Sequence, residues 1–304
     1  EPRDKETIWQ HRAGGVFVWH VGYIGSSMDG TYKCGTCPTQ ELVDAFETID
    51  GQPILDLAKP YLDEKHMQPN YNPDNKIYDP KNPYENRDPR LTATVLCNGD
   101  SLIWNNGEVF TVETYVNGRH GMSLDPSDRA HSRTGYYHRK LVTPQASNTN
   151  QINNSNWKFF RLGEIILNYA EAAAESGHLA EAKAAVDEIR ARVNMPALPA
   201  GLSKDEMILR VHNERRVELA WEEVRYFDLR RWQKPEGNLN ATCQWLTGMR
   251  ITKNNDGSFN YQRYNISTNP RGGYQNRDLL LPLPLDEVSR LESTTGVSWQ
   301  NQGW

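Results

Sequence analysis

No apolar run in the sequence approaches the roughly 18 residues that a membrane-crossing helix needs. Nor does the start show a charged, then apolar, then small-residue leader. The opening Glu1-Pro2-Arg3-Asp4 reads as a cut inside a longer polypeptide, so any targeting segment is expected upstream. Cysteine is scarce: Cys34, Cys37, Cys97 and Cys243 are too few to build a disulfide scaffold. Cys34-Gly35-Thr36-Cys37 has the spacing of a redox pair, but such pairs open a helix directly after a buried strand. Here Gly22, Gly25, Asp29 and Gly30 separate it from the apolar run Val16 to Val21. Zinc would need two further ligands at matched spacing, and Cys97 and Cys243 stand alone. Loop closure or simple thiols is the reading we adopt.

Positive charge is not in excess either. With 34 Lys and Arg against 39 Asp and Glu, and both signs interspersed, the chain has no basic stripe. A nucleic-acid partner is set aside. A nucleophile elbow, H-E-x-x-H, a P-loop and a dinucleotide fingerprint are all missing. Asn254 to Ser258 fails as a calcium loop, because Thr252 takes the first ligand position and Arg263 the twelfth. No cofactor is expected. Carboxylates are plentiful, so a glycoside hydrolase working through paired acids stays as an alternative. What the chain does have is 9 Trp and 14 Tyr among many Asn, Gly and Pro, the composition of a loop-rich surface protein with exposed rings.

Three zones differ in pattern. Residues 1–156 are short apolar runs cut by Gly, Pro and Asn, such as Val16-Phe17-Val18-Trp19, Leu91 to Leu96 and Val109 to Val112. These predict short strands joined by long loops, with a short helix over Gln40 to Phe46. Residues 157–232 are expected to be strongly helical. From Phe160 apolar residues recur at helical spacing as far as Gly177, a left-handed stop, and a second helix is predicted over Leu179 to Val193. Pro196 and Pro199 bar its continuation. Ser203 with Glu206 is a capping-box pair opening a third helix through Ala220. The first two helices resemble one tetratricopeptide unit, which cannot cover its own apolar face, so neighbours are expected upstream or in a partner. Residues 233–304 return to loops and short strands, with a hairpin turn at Asn255-Asp256-Gly257 and an extended Leu279 to Leu285 run broken by Pro282 and Pro284.

Several ordered motifs carry a resemblance. They are Phe160-Arg161-Leu162-Gly163-Glu164 through Asn168-Tyr169-Ala170-Glu171-Ala172, and Glu214-Arg215-Arg216-Val217-Glu218-Leu219-Ala220 followed by Arg225-Tyr226-Phe227-Asp228-Leu229-Arg230-Arg231-Trp232. Earlier come Asp50-Gly51 and Tyr84-Glu85-Asn86-Arg87-Asp88-Pro89-Arg90-Leu91, and at the end Leu281-Pro282-Leu283-Pro284 with Glu287. The chain from about Gln40 onward resembles the SusD/RagB family, departing from it at Gly163, where Ala is usual, and at Gln302, where Pro is usual. The resemblance implies a mainly α fold with irregular loops and short strands, tetratricopeptide-type helix pairs supporting a loop-rich ligand face. On it the chain is the C-terminal portion of one such domain. It implies a surface-exposed outer-membrane lipoprotein, its lipid anchor in the missing N-terminal part. Its partners would be a glycan ligand, or a peptide as the alternative, and a SusC-like TonB-dependent transporter.

Two sets of residues then separate. Arg161, Glu164, Glu171, Glu214, Arg215 and Glu218 interrupt helix periodicity and are read as a partly buried ion-pair network, not as acid-base chemistry. Glycan recognition asks instead for flat aromatic faces with polar neighbours. The candidates are Trp9, Trp19, Tyr23 and Tyr32, with Arg12, His20 and Asp29 as hydrogen-bonding partners and His11 nearby. In the resembling family, platform rings often come from the stretch before the Asp-Gly element, which is this one. Trp104, Tyr71 and Tyr115 are weaker candidates, and Trp157, Trp221 and Trp232 are assigned to packing.

Overall fold

The structure, a computed structural model, describes residues 4–11, 16–17, 34, 36–103, 109–140, 152–153, 157–232, 243–272 and 275–304. Its centre is a helical layer. Helix α3 (Leu162–Glu175) and helix α4 (Leu179–Ala191) form an antiparallel hairpin, and α5 (Lys204–Glu218) packs against both. The turn between α3 and α4 closes at Gly177, whose φ of +82° is costly for a side chain with a Cβ. The hairpin is held by small residues: Ala170, Ala173, Ala174, Ala182 and Ala185 let the backbones approach, and Val186, Met207 and Val211 fill the space. The Ser203–Glu206 capping box forms, with the Ser203 hydroxyl accepting from the Glu206 N–H and the Glu206 carboxylate from the Ser203 N–H at 2.7 Å. The opposite face of α3 leaves Leu162, Ile165 and Tyr169 exposed.

A second core joins α1 (Gln40–Ala45), α2 (Arg90–Thr94), strand β3 (Val95–Leu96) and the hairpin β9 (Thr247–Lys253) and β10 (Phe259–Asn265), through Val43, Phe46, Leu91, Val95, Tyr136 and Ile251. The last carbonyls of α1 lack intrahelical donors. Arg87, buried, supplies them, donating to the carbonyls of Val43 and Phe46 at 2.6 Å each. The β9–β10 turn sits at Asn254–Ser258, where the Asn254 N–H donates to the Ser258 carbonyl at 2.8 Å.

Five two-stranded antiparallel pairings replace any larger sheet among the described residues. The one that matters here pairs β1 (Thr7–His11) with β8 (Trp157–Arg161), and Arg161 leads directly into α3. Others are β3 with β6 (Tyr137–His138), β4 (Ser101–Ile103) with β5 (Val109–Thr111), and β2 (Val16–Phe17) with β7 (Ile152–Asn153).

Three expectations need correction. Leu91 to Leu96 is a strand only at Val95–Leu96: Asp88 accepts the Arg90 N–H at 2.9 Å and Pro89 stands at the N-cap, so the segment starts as α2 and only then extends. Trp157–Arg161 is a strand, not helix, since β1 offers it a pairing edge. The third zone holds a helix, α7 (Leu285–Thr295), that follows the proline-broken run, which itself is extended from Leu280 to Pro284. No helix among the described residues is long and apolar enough to cross a membrane.

Candidate functional site

The β1–β8 ribbon lacks a side covered by core, and its burial pattern shows it. Ile8, Trp9, Phe159 and Phe160 are all exposed, Trp9 at 57 %. Trp9 is the cross-strand partner of Phe160, and register shifts on either side of Trp9 twist the ribbon. The result is a three-ring cluster, with Trp9 stacked on Phe159 at 4.7 Å between centroids and on Phe160 at 5.9 Å. Stacked rings of this kind are stiff and already partly desolvated, so they present a flat apolar surface at little further entropic cost.

Phe159 and Phe160 also line a cavity of about 550 Å³ between β8, α3 and α6 (Val224–Arg231). Phe227, 57 % exposed, faces it from α6. The polar lining is rich in carboxylates: Glu164, Glu171, Glu175, Glu222, Glu223 and Asp228. Most are matched. Glu171 pairs with Arg231 and accepts the Trp232 indole N–H at 2.7 Å, and burial is overcome by these contacts with His212, Arg231 and Trp232, so its carboxyl stays far below the usual range. Asp228 takes both Arg215 and Arg231. Glu164 makes no ion pair among the described residues, and burial raises its carboxyl. The floor therefore combines aromatic edges with acceptor oxygens suited to hydroxyl donors.

Below the ribbon, the charged residues of the sequence motifs form a buried network and a second, separate group of pairs. Arg161 at the end of β8 bonds Glu218 at 2.9 Å, Glu222 at 2.6 Å and Glu6 at 2.6 Å. Arg90 joins Asp88, Glu214 and Glu218, while Arg190 joins Glu47 and Glu214. Arg215 stands in the separate group, paired with Asp228 at 3.1 Å. Five of the six charges read as structural, Arg161, Glu171, Glu214, Arg215 and Glu218, lie in these pairs; Glu164 is the exception. A second cavity of about 520 Å³ is lined by members of this network, Arg90, Arg161, Arg192, Glu6, Glu218 and Glu222 among them. A third, of about 280 Å³, lies between Tyr61 and His66 on one side and α5 and α6 on the other.

Of the sequence candidates, Trp9 falls on the ribbon, with His11 exposed two residues on. Arg12, Trp19, His20, Tyr23, Asp29, Tyr32 and Trp104 lie outside the described residues. Tyr71 is 46 % exposed and tilted on Tyr78. Tyr115 packs against Phe259 and the second core, so it has a structural task. Trp157 and Trp232, assigned to packing from the sequence, are only half-buried and line cavities. The reading missed Phe159, Phe160 and Phe227, whose signal was their adjacency to a helix start without a place in its apolar stripe. Cys34 and Cys37 bring their sulfurs to 3.1 Å as thiols. No group of three or more metal-ligating side chains occurs among the described residues.

Comparison with known proteins gives a consistent result. The sequence model of the SusD family matches residues 5–304. A SusD-like protein from Bacteroides fragilis superposes with a TM-score of 0.71 at 28 % identity, covering 99 % of this chain and 55 % of its own. A SusD-like carbohydrate-binding protein from the same species gives 0.60 at 25 % identity, covering 93 % and 53 %. The chain thus spans about half the length of these solved structures. No curated protein sequence matches it.

Proposed function

The chain belongs to the SusD family, and we propose that it is part of a cell-surface glycan-binding protein, not an enzyme, that hands its ligand to a TonB-dependent transporter in the outer membrane. The observation that carries this reading is the exposed Trp9–Phe159–Phe160 cluster on the ribbon, opening onto an aromatic, carboxylate-lined cavity. A relative described as carbohydrate-binding supports it. Sugar rings offer apolar C–H faces to such a plate and hydroxyls to the acceptor oxygens beside it.

The energetics suit capture and release. Covering roughly 100 Å² of apolar surface is worth about 2.5 kcal/mol. A few such contacts, less the cost of ordering the ligand, give affinities of about millimolar to micromolar. Delivery to a SusC-like transporter and attachment through a lipid anchor follow from the family as proposals for the whole protein. Affinity electrophoresis in gels containing different polysaccharides tests the reading. Retardation by one polysaccharide is expected, without product formation, and Trp9→Ala should weaken it by about 10–100-fold with the melting temperature unchanged. Cleavage of the polysaccharide would favour the hydrolase. Retardation by none, together with binding of peptides, would move the protein to peptide capture.

A further inference from the structure

Most guanidiniums of the buried core are matched by anions or carbonyls, and two that are not line one cavity. Arg87, Arg90, Arg161, Arg190, Arg215 and Arg263 each have carbonyl or carboxylate partners within 3.1 Å. Arg216 on α5 and Arg225 on α6 have neither a hydrogen bond nor an ion pair among the described residues, although Arg225 lies over the Trp232 ring at 5.6 Å, and both line the third cavity. Asp228, three residues after Arg225, is spent on Arg215 and Arg231. Glu41, the carboxylate that lines this cavity, uses one oxygen to accept from the Thr247 N–H at 2.9 Å and hydroxyl at 2.6 Å, with His66 Nδ1 at 3.2 Å, while its buried Oε2 has no hydrogen-bond partner among the described residues.

Two guanidiniums that share a half-buried space repel each other and lose hydration. Burial, then the neighbouring Arg216, pulls the Arg225 guanidinium down to about 9. It remains charged at neutral pH, so two guanidiniums and the one carboxylate of Glu41 line the space and leave it with an excess of positive charge. The aromatic rings beside it are already engaged: Trp232 carries His212 at 3.6 Å and the Arg225 and Arg231 guanidiniums, and Tyr61 carries His66 at 4.3 Å and the Arg263 guanidinium at 5.3 Å. A volume of about 280 Å³ accommodates one ring and its substituents, not an extended chain.

We propose that this cavity is a subsite for an acidic sugar, its carboxylate or sulfate held by Arg216 and Arg225. The proposal rests on the glycan-binding reading and narrows it to polysaccharides that carry anionic units. It also links the subsite to the ribbon side of the molecule, because the Trp232 indole donates to Glu171, which lines the first cavity.

Calorimetric or ligand-observed NMR titration with galacturonic acid, galactose 6-sulfate and neutral galactose tests it, using the protein, Arg216→Gln and Arg225→Gln. An acidic sugar should bind at least roughly ten-fold more tightly than galactose, since charge-assisted hydrogen bonds are about twice as strong as neutral ones. Each substitution should abolish the difference, and about 0.5 M NaCl should reduce it. Carboxylate and sulfate arms tell which group the fork prefers. Equal binding of charged and neutral sugars, no binding of either acidic sugar, or preference unchanged in both variants overturns the proposal. A stability measurement adds an independent check. Removing an unmatched buried charge should leave the ligand-free melting temperature of Arg225→Gln equal or higher; a fall beyond about 2 °C would mark a structural post and sink the idea. Neutral polysaccharide retention that needs Trp9 while acidic sugars show no preference would reject this subsite and leave the glycan-binding reading standing. Absence of retention by any polysaccharide would reject that reading itself.

Discussion

Arg90→Met tests whether the motif charges hold the fold together. The Arg90 side chain is 8 % exposed and its guanidinium meets Asp88 at 2.7 Å, Glu214 at 2.6 Å and Glu218 at 3.0 Å. Without it, Glu214 keeps Arg190 and Glu218 keeps Arg161 and Arg192. Asp88, itself 1 % exposed, loses its cation. One uncompensated buried carboxylate costs about 3–5 kcal/mol. At about 2–4 °C per kcal/mol for chains of similar size, the melting temperature should fall by about 10 °C at pH 7. The pH dependence fixes the cause. Glu218 sits below its usual range, with Arg161, Arg192 and Arg90 outweighing burial. Its stabilising contribution is therefore complete above the unfolded value of about 4.3 and is lost as pH falls below it. The variant should lag wild type most at neutral pH and converge with it under acid. Differential scanning fluorimetry at pH 7 and about pH 4, with Arg90→Lys as a charge-keeping control, measures both. A drop smaller than about 3 °C at pH 7, or a gap that widens in acid, would refute the reasoning.

Gly135→Ala should destabilise by about 1–3 kcal/mol, because φ is +80° there and an added Cβ would run into the Met249 carbonyl; chemical denaturation reads it, and no change would show that this backbone can shift. Ser203→Ala should cost about 1 kcal/mol through loss of the capping box, seen as a lower urea midpoint with unchanged slope. His138 is fully buried with both ring nitrogens lacking hydrogen-bond partners among the described residues, and burial, then Lys140, depresses it to about 3. The unfolded chain takes up that proton first, so stability is intact above about pH 6.5 and declines from there toward the depressed value. His138→Phe should equal or exceed wild type at pH 7 and flatten the acid limb; a large loss at pH 7 would mean the ring nitrogens matter.

Local order was written in local sequence. Gly177 after an alanine-rich helix, Ser203 three residues before Glu206, and Asn255-Asp256-Gly257 between β-prone runs each specify their own geometry, and each appears in the fold. Charges that break helix periodicity were legible as a network because nothing else accounts for Arg and Glu on helix faces that also carry core residues. The ligand-facing parts were less legible. Trp9 meets Phe160 across a pairing that joins segments 151 residues apart, and no periodicity within either strand announces its partner. The same holds for the third cavity, which gathers Tyr61 and His66 from a proline-rich loop and Arg216 and Arg225 from two helices. Leu91 to Leu96 misled because its Thr and Val favour strands while the deciding signal, Asp88-Pro89, lay just ahead of it.

The ribbon has one more consequence. Its strands are latched by charge at the base, Asp4 to Lys158 at 3.0 Å and Glu6 to Arg161 at 2.6 Å, while Ile8, Trp9, Phe159 and Phe160 belong to none of the hydrophobic cores. If the ribbon is the glycan plate proposed above, exchanging any of those four side chains would alter the surface offered to a ligand and leave the supporting frame intact. In evolutionary terms the ribbon would then be a replaceable fitting, where descendants of one ancestral chain could change diet by single substitutions without having to refold around them.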